Sequence, residues 1–190
     1  RHLRDRLAVA LRGLSLYQRS GLQRLVRASG FLALAPGLAA MERLLPTLQK
    51  NSSAPLPELI PARGKRKGRA GLLTGCVQRH LYPEINALTG HLLSLAGYEV
   101  VVPQNQGCCG ALHLHGARLD EARRFARELL RAFPGDVDYI VTNAAGCGAA
   151  LKEYGHWLGD DERAARFSRR VRDVSELLVD VELPLGRLDV

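Results

Sequence analysis

The four cysteines of this chain each lie beside glycine, and this setting is the strongest constraint on what the chain can fold into. They occur as Gly75-Cys76, Gly107-Cys108-Cys109-Gly110 and Gly146-Cys147-Gly148, and the sequence has no other cysteine. Glycine permits tight turns and a close approach of the backbone to a ligand, and a group of thiolates among backbone amides needs that geometry. The pattern predicts a redox metal site and favours iron–sulfur over scattered structural cysteines.

Short β-branched runs alternate with helical segments in the second half of the chain. Apolar runs end at glycine or proline, and the segments between them carry helical spacing. This alternation predicts a parallel sheet with right-handed crossovers, so the expected fold class is α/β and Rossmann-like. The predicted strands are 70–74, 98–102 and 137–142, the predicted helices are 83–96, 119–133 and 149–158, and 162–172 and 175–181 are expected to be mostly helical.

The organisation of the chain divides it into three parts. Residues 1–50 form a helical segment, because leucines recur at helical spacing with arginines between them. Residues 51–69 are rich in Pro, Ser and Gly and are predicted to be a linker. Residues 70–190 form the cysteine-rich domain. The chain begins with Arg1 and has a single methionine, so we expect a piece of a longer protein or a processed one.

The net charge of +8 is concentrated in the first thirty residues and in the linker. Within the linker, five of the seven residues 63–69 are basic. Solvated surfaces are the simplest interpretation of such runs. Docking to an acidic partner subunit or to an anionic membrane surface is the sharper alternative. Nucleic acid is not expected as a partner, because aromatic residues make up only 5% of the chain and no recognition motif accompanies the charge. The sequence predicts neither a secretory signal nor a membrane-spanning helix.

The predicted strands place the cysteines at a common edge of the sheet. Cys76 follows the first strand, Cys108 and Cys109 follow the second, and Cys147 follows the third. In an open α/β sheet, ligands bind outside the carboxyl ends of the strands. Residues far apart in sequence are therefore expected to meet there, close to helix starts whose amides and positive dipole ends stabilise thiolates.

Several kinds of cysteine chemistry remain open on the residues alone. Buried structural thiols do not account for the flanking glycines. Disulfides lack a secretory context, and adjacent cysteines pair only with strain. Structural zinc and a thiol redox centre both usually show Cys-x-x-Cys pairs, which this chain lacks. Iron–sulfur remains the preferred interpretation.

Three segments around these cysteines resemble a known family. Leu73-Thr-Gly-Cys-Val-Gln-Arg79, Gly107-Cys-Cys-Gly-Ala-Leu-His113 and Ala145-Gly-Cys-Gly-Ala149 are similar to the iron–sulfur subunit of bacterial glycolate oxidase (glycolate dehydrogenase). The early segment from Leu16 to Gly30 resembles the central helical region of the same family. The cysteine-rich part also resembles the wider CCG superfamily, which includes subunits of heterodisulfide reductase and of lactate-utilisation complexes.

The resemblance implies a ligand set and a cofactor. Cys76, Cys108, Cys109 and Cys147 match the first four ligand positions of a CCG domain, and the implied cofactor is a [4Fe-4S] cluster. The fifth position falls on Ala150, so an ordinary four-thiolate cluster is expected instead of a non-cubane form. No residue is expected to be catalytic. The implied cofactor-binding residues let backbone amides approach the sulfurs, and they are Gly75, Gly107, Gly110, Gly146 and Gly148.

The implied function is electron relay. In the family, flavin-containing partner subunits oxidise glycolate to glyoxylate, and the iron–sulfur subunit passes the electrons on. The ferredoxin-like region and the second CCG domain of the full-length subunit are not found in this sequence. A structural zinc or metal-free docking module remains an alternative, as does service to another 2-hydroxy acid such as lactate. The expected location is the cytoplasm, with peripheral association at the inner face of the cell membrane left open.

Other polar residues near the cysteines have two interpretations each. His80, His113 and His115 could hydrogen-bond a cluster sulfur, although ordinary loop histidines are the simpler interpretation. Asn143 is expected to be a turn residue. The segment 152–156 either faces a partner subunit or forms a surface helix.

Overall fold

A computed structural model describes residues 2–48, 55–159, 161–179 and 181 of the protein. The chain divides into two compact units, Arg1–Ser53 and Ala54–Val190. The first unit is helical, as the leucine spacing predicts. Its elements are α1 (His2–Arg19), α2 (Leu22–Ala28), a 3₁₀ helix (Phe31–Leu34) and α3 (Pro36–Arg43).

A buried carboxylate joins the helices of the first unit. Glu42 of α3 is only 8% exposed, and it accepts hydrogen bonds from Arg27 at 2.9 Å and Gln23 at 2.9 Å. Tyr17 of α1 donates a longer bond of 3.5 Å. The bonds from Arg27 and then Gln23 favour the charged form and hold the pKa of Glu42 below its ordinary value.

The second unit contains the sheet, with strands and helices in alternation. Its elements are β1 (Leu59–Ile60), β2 (Gly68–Leu72), α4 (Gln78–Leu81), α5 (Pro83–Leu95), β3 (Tyr98–Val101), α6 (Ala111–His115), α7 (Leu119–Ala132), β4 (Tyr139–Thr142), α8 (Ala145–Lys152), α9 (Tyr154–Trp157), α10 (Glu162–Arg170), β5 (Val171–Asp173) and α11 (Val174–Leu178).

The strands are ordered β1-β3-β2-β4-β5. The strand β1 is antiparallel to β3, and the other pairs are parallel. At the centre, Gly71 lies between Val101 of β3 and Ile140 of β4. The predicted α/β fold with a largely parallel sheet is therefore confirmed.

Apolar side chains cover both faces of this sheet. One core contains Leu129 of α7, Leu151 of α8 and Phe167 of α10 packed with Ile140. The other contains Leu93 of α5 and Leu177 of α11 packed with strand residues that include Val141. Because successive strand residues point to opposite faces, neighbours such as Ile140 and Val141 contribute to different cores.

The structure differs from the sequence-based expectation at several boundaries. Two strands, β1 and β5, were not predicted, because β1 has two residues in a proline-rich stretch and β5 has three directly after a helix. The predicted linker 51–69 therefore contains sheet residues, namely β1 and the first residues of β2, while 51–54 lie outside the described residues. Residues 182–190 of the predicted domain also lie outside them. The helix predicted at 149–158 is two helices, and the first begins at Ala145.

The basic run of the predicted linker leads into the amino end of β2, where acidic groups neutralise part of it. Arg69 pairs with Glu99 at 2.9 Å and with Asp136, and its backbone N–H donates to Asp138 at 2.7 Å. Arg66 also pairs with Glu99, at 3.5 Å. Within the described parts of the chain, none of the helices combines the length and the apolar character needed to cross a membrane.

Candidate metal centre

The four thiols converge beyond the carboxyl ends of three parallel strands. Cys76 follows β2, Cys108 and Cys109 follow β3, and Cys147 lies in the first turn of α8 after β4. The Sγ atoms of Cys76 and Cys108 are 3.4 Å apart, and those of Cys109 and Cys147 are 3.2 Å apart. The structure thus brings together residues that are up to 71 positions apart in sequence (147 − 76), as the sheet-edge rule predicts.

These sulfurs form one connected group of free thiols. All four cysteines are unpaired, and the two close pairs are joined through the chain, because Cys108 and Cys109 are adjacent residues. Cys108 and Cys109 are buried, whereas Cys76 and Cys147 are half-buried. Among the residues that the structure describes, no three His, Cys, Asp or Glu side chains are arranged around a single metal-ion position.

Backbone amides point at the sulfurs. The N–H of Gly110 donates to the Sγ of Cys108 at 3.4 Å. Amides of Val77 and Ala111 similarly favour the thiolate forms of Cys76 and Cys109. Such N–H···S contacts stabilise anionic sulfur and tune the potential of a bound redox metal.

The thiols differ in acidity because of their mutual hydrogen bonds and their burial. The bond with Cys108, followed by burial, raises the pKa of Cys76. The bond with Cys109 and burial likewise raise that of Cys108. For Cys109, the bond with Cys108 lowers the pKa, but the bond with Cys147 and burial outweigh it and raise the pKa to about 12. The bond with Cys109 lowers the pKa of Cys147.

The five glycines predicted as cofactor-binding differ in whether the backbone conformation or the surrounding atoms exclude a side chain. Gly110 has φ of +83°, and a Cβ there would lie 2.9 Å from the carbonyl oxygen of Ala122 in α7. Gly75 has φ of +70°, and a Cβ on Gly148 would lie 3.0 Å from the Thr142 side chain. The remaining two are Gly107 and Gly146, and a Cβ on either of them would point into open space.

Polar residues that the sequence analysis did not assign to the site support its loops. The guanidinium of Arg79 donates to the carbonyl oxygen of Gly75 at 2.7 Å and to that of Gln106 at 3.2 Å. Arg79 therefore joins the loop of Cys76 to the loop of Cys108. Asn143 was predicted to be a turn residue, but its amide also bonds the side chains of Asn86 and Thr89.

Tyr154 is a second residue whose role was missed. It was expected with its neighbours on a surface or partner-facing helix, yet its side chain is fully buried. Its hydroxyl donates to the carbonyl oxygen of Cys109 at 2.7 Å. Burial raises its pKa well above the ordinary value, so the hydroxyl keeps its proton and continues to donate. No local sequence pattern marks this bond, because it joins positions 45 residues apart.

The other flagged side chains have simpler surroundings. Lys152 pairs with Glu176 of α11 at 2.6 Å. The His113 ring packs 4.7 Å from the ring of Phe125, and His115 is exposed. Ala150, which stands at the fifth ligand position, is buried in α8 three residues after Cys147.

Two family descriptions match the chain. "Cysteine-rich domain" matches residues 70–152, and "Glycolate oxidase iron-sulfur subunit, linker region" matches residues 3–45. The first match contains all four thiols, and the second covers the helical unit almost completely. No solved structure matches the chain.

Curated relatives are similar to the chain over much of its length. The probable glycolate oxidase iron–sulfur subunit of Bacillus subtilis is 42% identical over 186 residues, which are 94% of this chain and 41% of the relative. The glycolate oxidase iron–sulfur subunit of Escherichia coli is 35% identical over 188 residues, 90% of this chain and 44% of the relative. Lactate utilization protein A of Geobacillus kaustophilus is 34% identical over 117 residues, 60% of this chain and 48% of the relative. The chain spans less than half the length of these relatives.

Proposed function

Because the chain belongs to the family of glycolate oxidase iron–sulfur subunits, of which it spans the linker region and one cysteine-rich domain, we propose that it holds an iron–sulfur cluster and relays electrons during the oxidation of a 2-hydroxy acid. The observation that carries this proposal is the convergence of four free thiols from three segments that follow neighbouring parallel strands. The relatives are named for glycolate oxidase and for lactate utilization, and both glycolate and lactate are 2-hydroxy acids.

The donor set fits the proposed cluster in number and chemistry. Four cysteine thiolates are the usual ligands of a [4Fe-4S] cluster, and the four thiols of the site are Cys76, Cys108, Cys109 and Cys147. Ala150 has no donor atom, so we propose a four-thiolate cluster without a fifth cysteine ligand. Amides already directed at the sulfurs support the assignment, because they offset the negative charge of thiolates.

The residues of this chain hold and insulate such a centre. When bound, an iron–sulfur cluster supplies one-electron transfer. Burial of Cys108 and Cys109 excludes water from one side of the thiol group, whereas half-buried Cys76 and Cys147 leave the other side accessible to an electron donor or acceptor. Packing within the protein does not require glycine at Gly107 or Gly146, because a Cβ there would meet open space, and this supports their proposed role in admitting the cofactor.

The helical unit supports a role in binding partner subunits. Within residues 7–48 every exposed charged side chain is an arginine, and the one carboxylate, Glu42, is buried and paired with Arg27. Large apolar side chains are exposed beside these arginines, including Leu34 and Leu44. An acidic protein surface with an apolar centre complements this composition. We propose that the unit docks, in the cytoplasm, to a flavin-containing subunit that presents such an acidic surface with an apolar centre.

Anaerobic reconstitution with iron and sulfide tests the cluster. We expect about four iron and four sulfide per chain, visible absorbance, and an EPR signal after reduction. Serine in place of any one of Cys76, Cys108, Cys109 or Cys147 should remove or reshape these signals. Ala149→Ser, which adds a hydroxyl two residues from Cys147 on the exposed face of α8, should leave them intact.

Two outcomes would contradict the proposal. Full iron content in all four serine variants would exclude these thiols as ligands. One zinc per chain with no EPR signal would favour a structural Cys₄ zinc site, and the chain would then act as a docking module. Colour alone does not decide the matter, because exposure to air destroys many clusters.

A further inference from the structure

A buried glutamine ties the loop of Cys108 to the strand before Cys76. Gln106 is 1% exposed. Its side-chain oxygen accepts from the N–H of Thr74 at 2.9 Å, and its side-chain nitrogen donates to the carbonyl of Leu72 at 3.1 Å. Both partners lie within four residues of Cys76, and Gln106 lies two residues before Cys108. One side chain therefore fixes the spacing of two cysteine loops.

An asparagine of α5 bonds the segment that directly follows β2. Asn86 is 2% exposed, and its side-chain nitrogen donates to the carbonyl of Thr74 at 2.8 Å. The N–H of Thr74 is held by Gln106 and its C=O by Asn86, so both sides of this residue are fixed two positions before Cys76. Both amides are expected to keep these partners, because a buried polar group without a hydrogen bond is destabilising.

The loop between β4 and α8, which leads to Cys147, joins the same set of bonds. Asn143, four residues before Cys147, donates to the side-chain oxygen of Asn86 at 3.1 Å and to the hydroxyl of Thr89 at 2.7 Å. Gln78, two residues after Cys76, donates to the side-chain oxygens of Asn143 at 2.7 Å and Asn86 at 3.2 Å. Together with the backbone of Thr74, these side-chain amides connect the segments that carry the cysteines.

We infer that these four residues, the amide network of Gln78, Asn86, Gln106 and Asn143, are positioning residues that set the separation of the three cysteine loops before metal binds. The network bonds backbone groups and other polar side chains instead of sulfur, so it acts through the loops. It has the role of outer-shell groups that orient metal ligands. The inference rests on the proposed function for the identity of the metal but not for the placement of the thiols.

The placement is tested on metal-free protein by oxidative cross-linking with diamide. Each cross-link forms one S–S bond from two thiols and passes two electrons and two protons to diamide, which becomes the hydrazine. Proteolysis and mass spectrometry then map the pairs. In the unmodified protein we expect Cys76–Cys108 and Cys109–Cys147 to predominate, because these sulfurs lie 3.4 Å and 3.2 Å apart.

Gln106→Met and Gln78→Ala loosen the network at a buried and at a half-buried position. In both variants the share of the two native pairs should fall towards about one half, the value for random choice between the two connectivities that do not join the neighbours Cys108 and Cys109. After reconstitution, both should lose iron to a chelator about 10-fold more readily, with a changed EPR line shape. Ser94→Ala is the matched control, because Ser94 is also buried on α5 but donates to Pro61, away from the cysteine loops.

The two proposals fail in different ways. If the unmodified protein binds no iron but shows selective cross-links that scramble in the variants, the proposed function fails and the positioning role stands. If folded Gln78→Ala and Gln106→Met keep the native pairing and the iron affinity of Ser94→Ala, the positioning role is overturned and the function stands. If Gln106→Met does not fold, Gln78→Ala decides by the same readouts.

Discussion

At the scale of single residues, two glycines beside the cysteines separate the demands of the fold from those of the proposed cofactor. Gly110 has a left-handed φ, and a Cβ there would meet the backbone of Ala122. Gly146 lies within α8, and a Cβ there would meet nothing. Steric demand therefore explains the first glycine but not the second.

Alanine substitutions should display this difference. Gly110→Ala should lower the free energy of unfolding by more than about 1 kcal/mol, because the left-handed conformation and the backbone contact both oppose a side chain. Gly146→Ala should raise the free energy of unfolding by about 0.5–1 kcal/mol, because alanine is the better helix former. Urea unfolding of the metal-free protein measures both.

Cofactor content then gives the functional half of this prediction. If Gly146 admits the cofactor, Gly146→Ala should bind less iron after reconstitution despite its greater stability. Unchanged iron content in Gly146→Ala would remove that residue from the cofactor-binding set. A stable Gly110→Ala protein would contradict the steric argument drawn from Ala122.

The residue scale also shows where sequence reasoning reached the site and where it stopped. The convergence of Cys76 and Cys147 could be predicted, because the order of strands and helices places both at one sheet edge. The partners of Gln106 and Asn86 could not, because their bonds join positions 12 to 34 residues apart whose side chains follow no local pattern. Tyr154 was misassigned for the same reason, since only packing reveals its bond to Cys109.

At the scale of elements, one carboxylate holds the helical unit together. Glu42 of α3 accepts bonds from Tyr17 of α1 and from Gln23 and Arg27 of α2. Its pKa is lowered in the folded protein. The charged form is therefore the stabilising form, and its contribution is present above the unfolded-state pKa and lost as the pH falls through the folded-state pKa.

Glu42→Gln should weaken the helical unit at pH 7 and have little effect in acid. We expect reduced hydrogen-exchange protection of peptides from residues 2–48 at pH 7. The difference from the unmodified protein should shrink as the pH falls below the unfolded-state pKa of about 4.3 and vanish once the pH is below the lowered folded-state pKa. Protection factors corrected for intrinsic exchange at each pH provide the measurement. Arg24→Gln, an exposed change on α2, serves as control. A difference that persists in acid would show that shape and not charge carries the contribution of Glu42.

The helices of the second unit illustrate why boundaries were harder to predict than element types. The helices α5 and α7 were predicted to within one residue, because proline, glycine and strong amphipathic spacing mark their ends. The start of α8 was predicted four residues late, because the two glycines around Cys147 weaken the local helix signal. The helix α8 packs against β4 and β5, and tertiary packing of this kind stabilises helices whose own sequence is a weak helix former.

At the scale of the whole molecule, the proposed centre and the larger core of the second unit are parts of one structure. Cys109 belongs to the same buried cluster as Leu151, Tyr154 and Trp157, and Cys147 packs against it. The proposed ligands come from distant parts of the chain, and only the folded protein brings them together. Metal binding should therefore stabilise the folded state. Stability and cofactor content are therefore expected to change together.

The only tryptophan gives a direct test of this coupling. Trp157 is buried in that core, 5.4 Å from the ring of Tyr154, so its fluorescence reports unfolding around the site. Removing iron with a chelator should shift the urea midpoint of the reconstituted protein to lower concentration, because a ligand bound only by the folded state adds its binding free energy to stability. Cys108→Ser should unfold at the same midpoint with and without chelator. An equal shift in that variant would trace the chelator effect to something other than a metal held by these thiols, and an absent shift in reconstituted protein would separate the metal centre from the core that surrounds it.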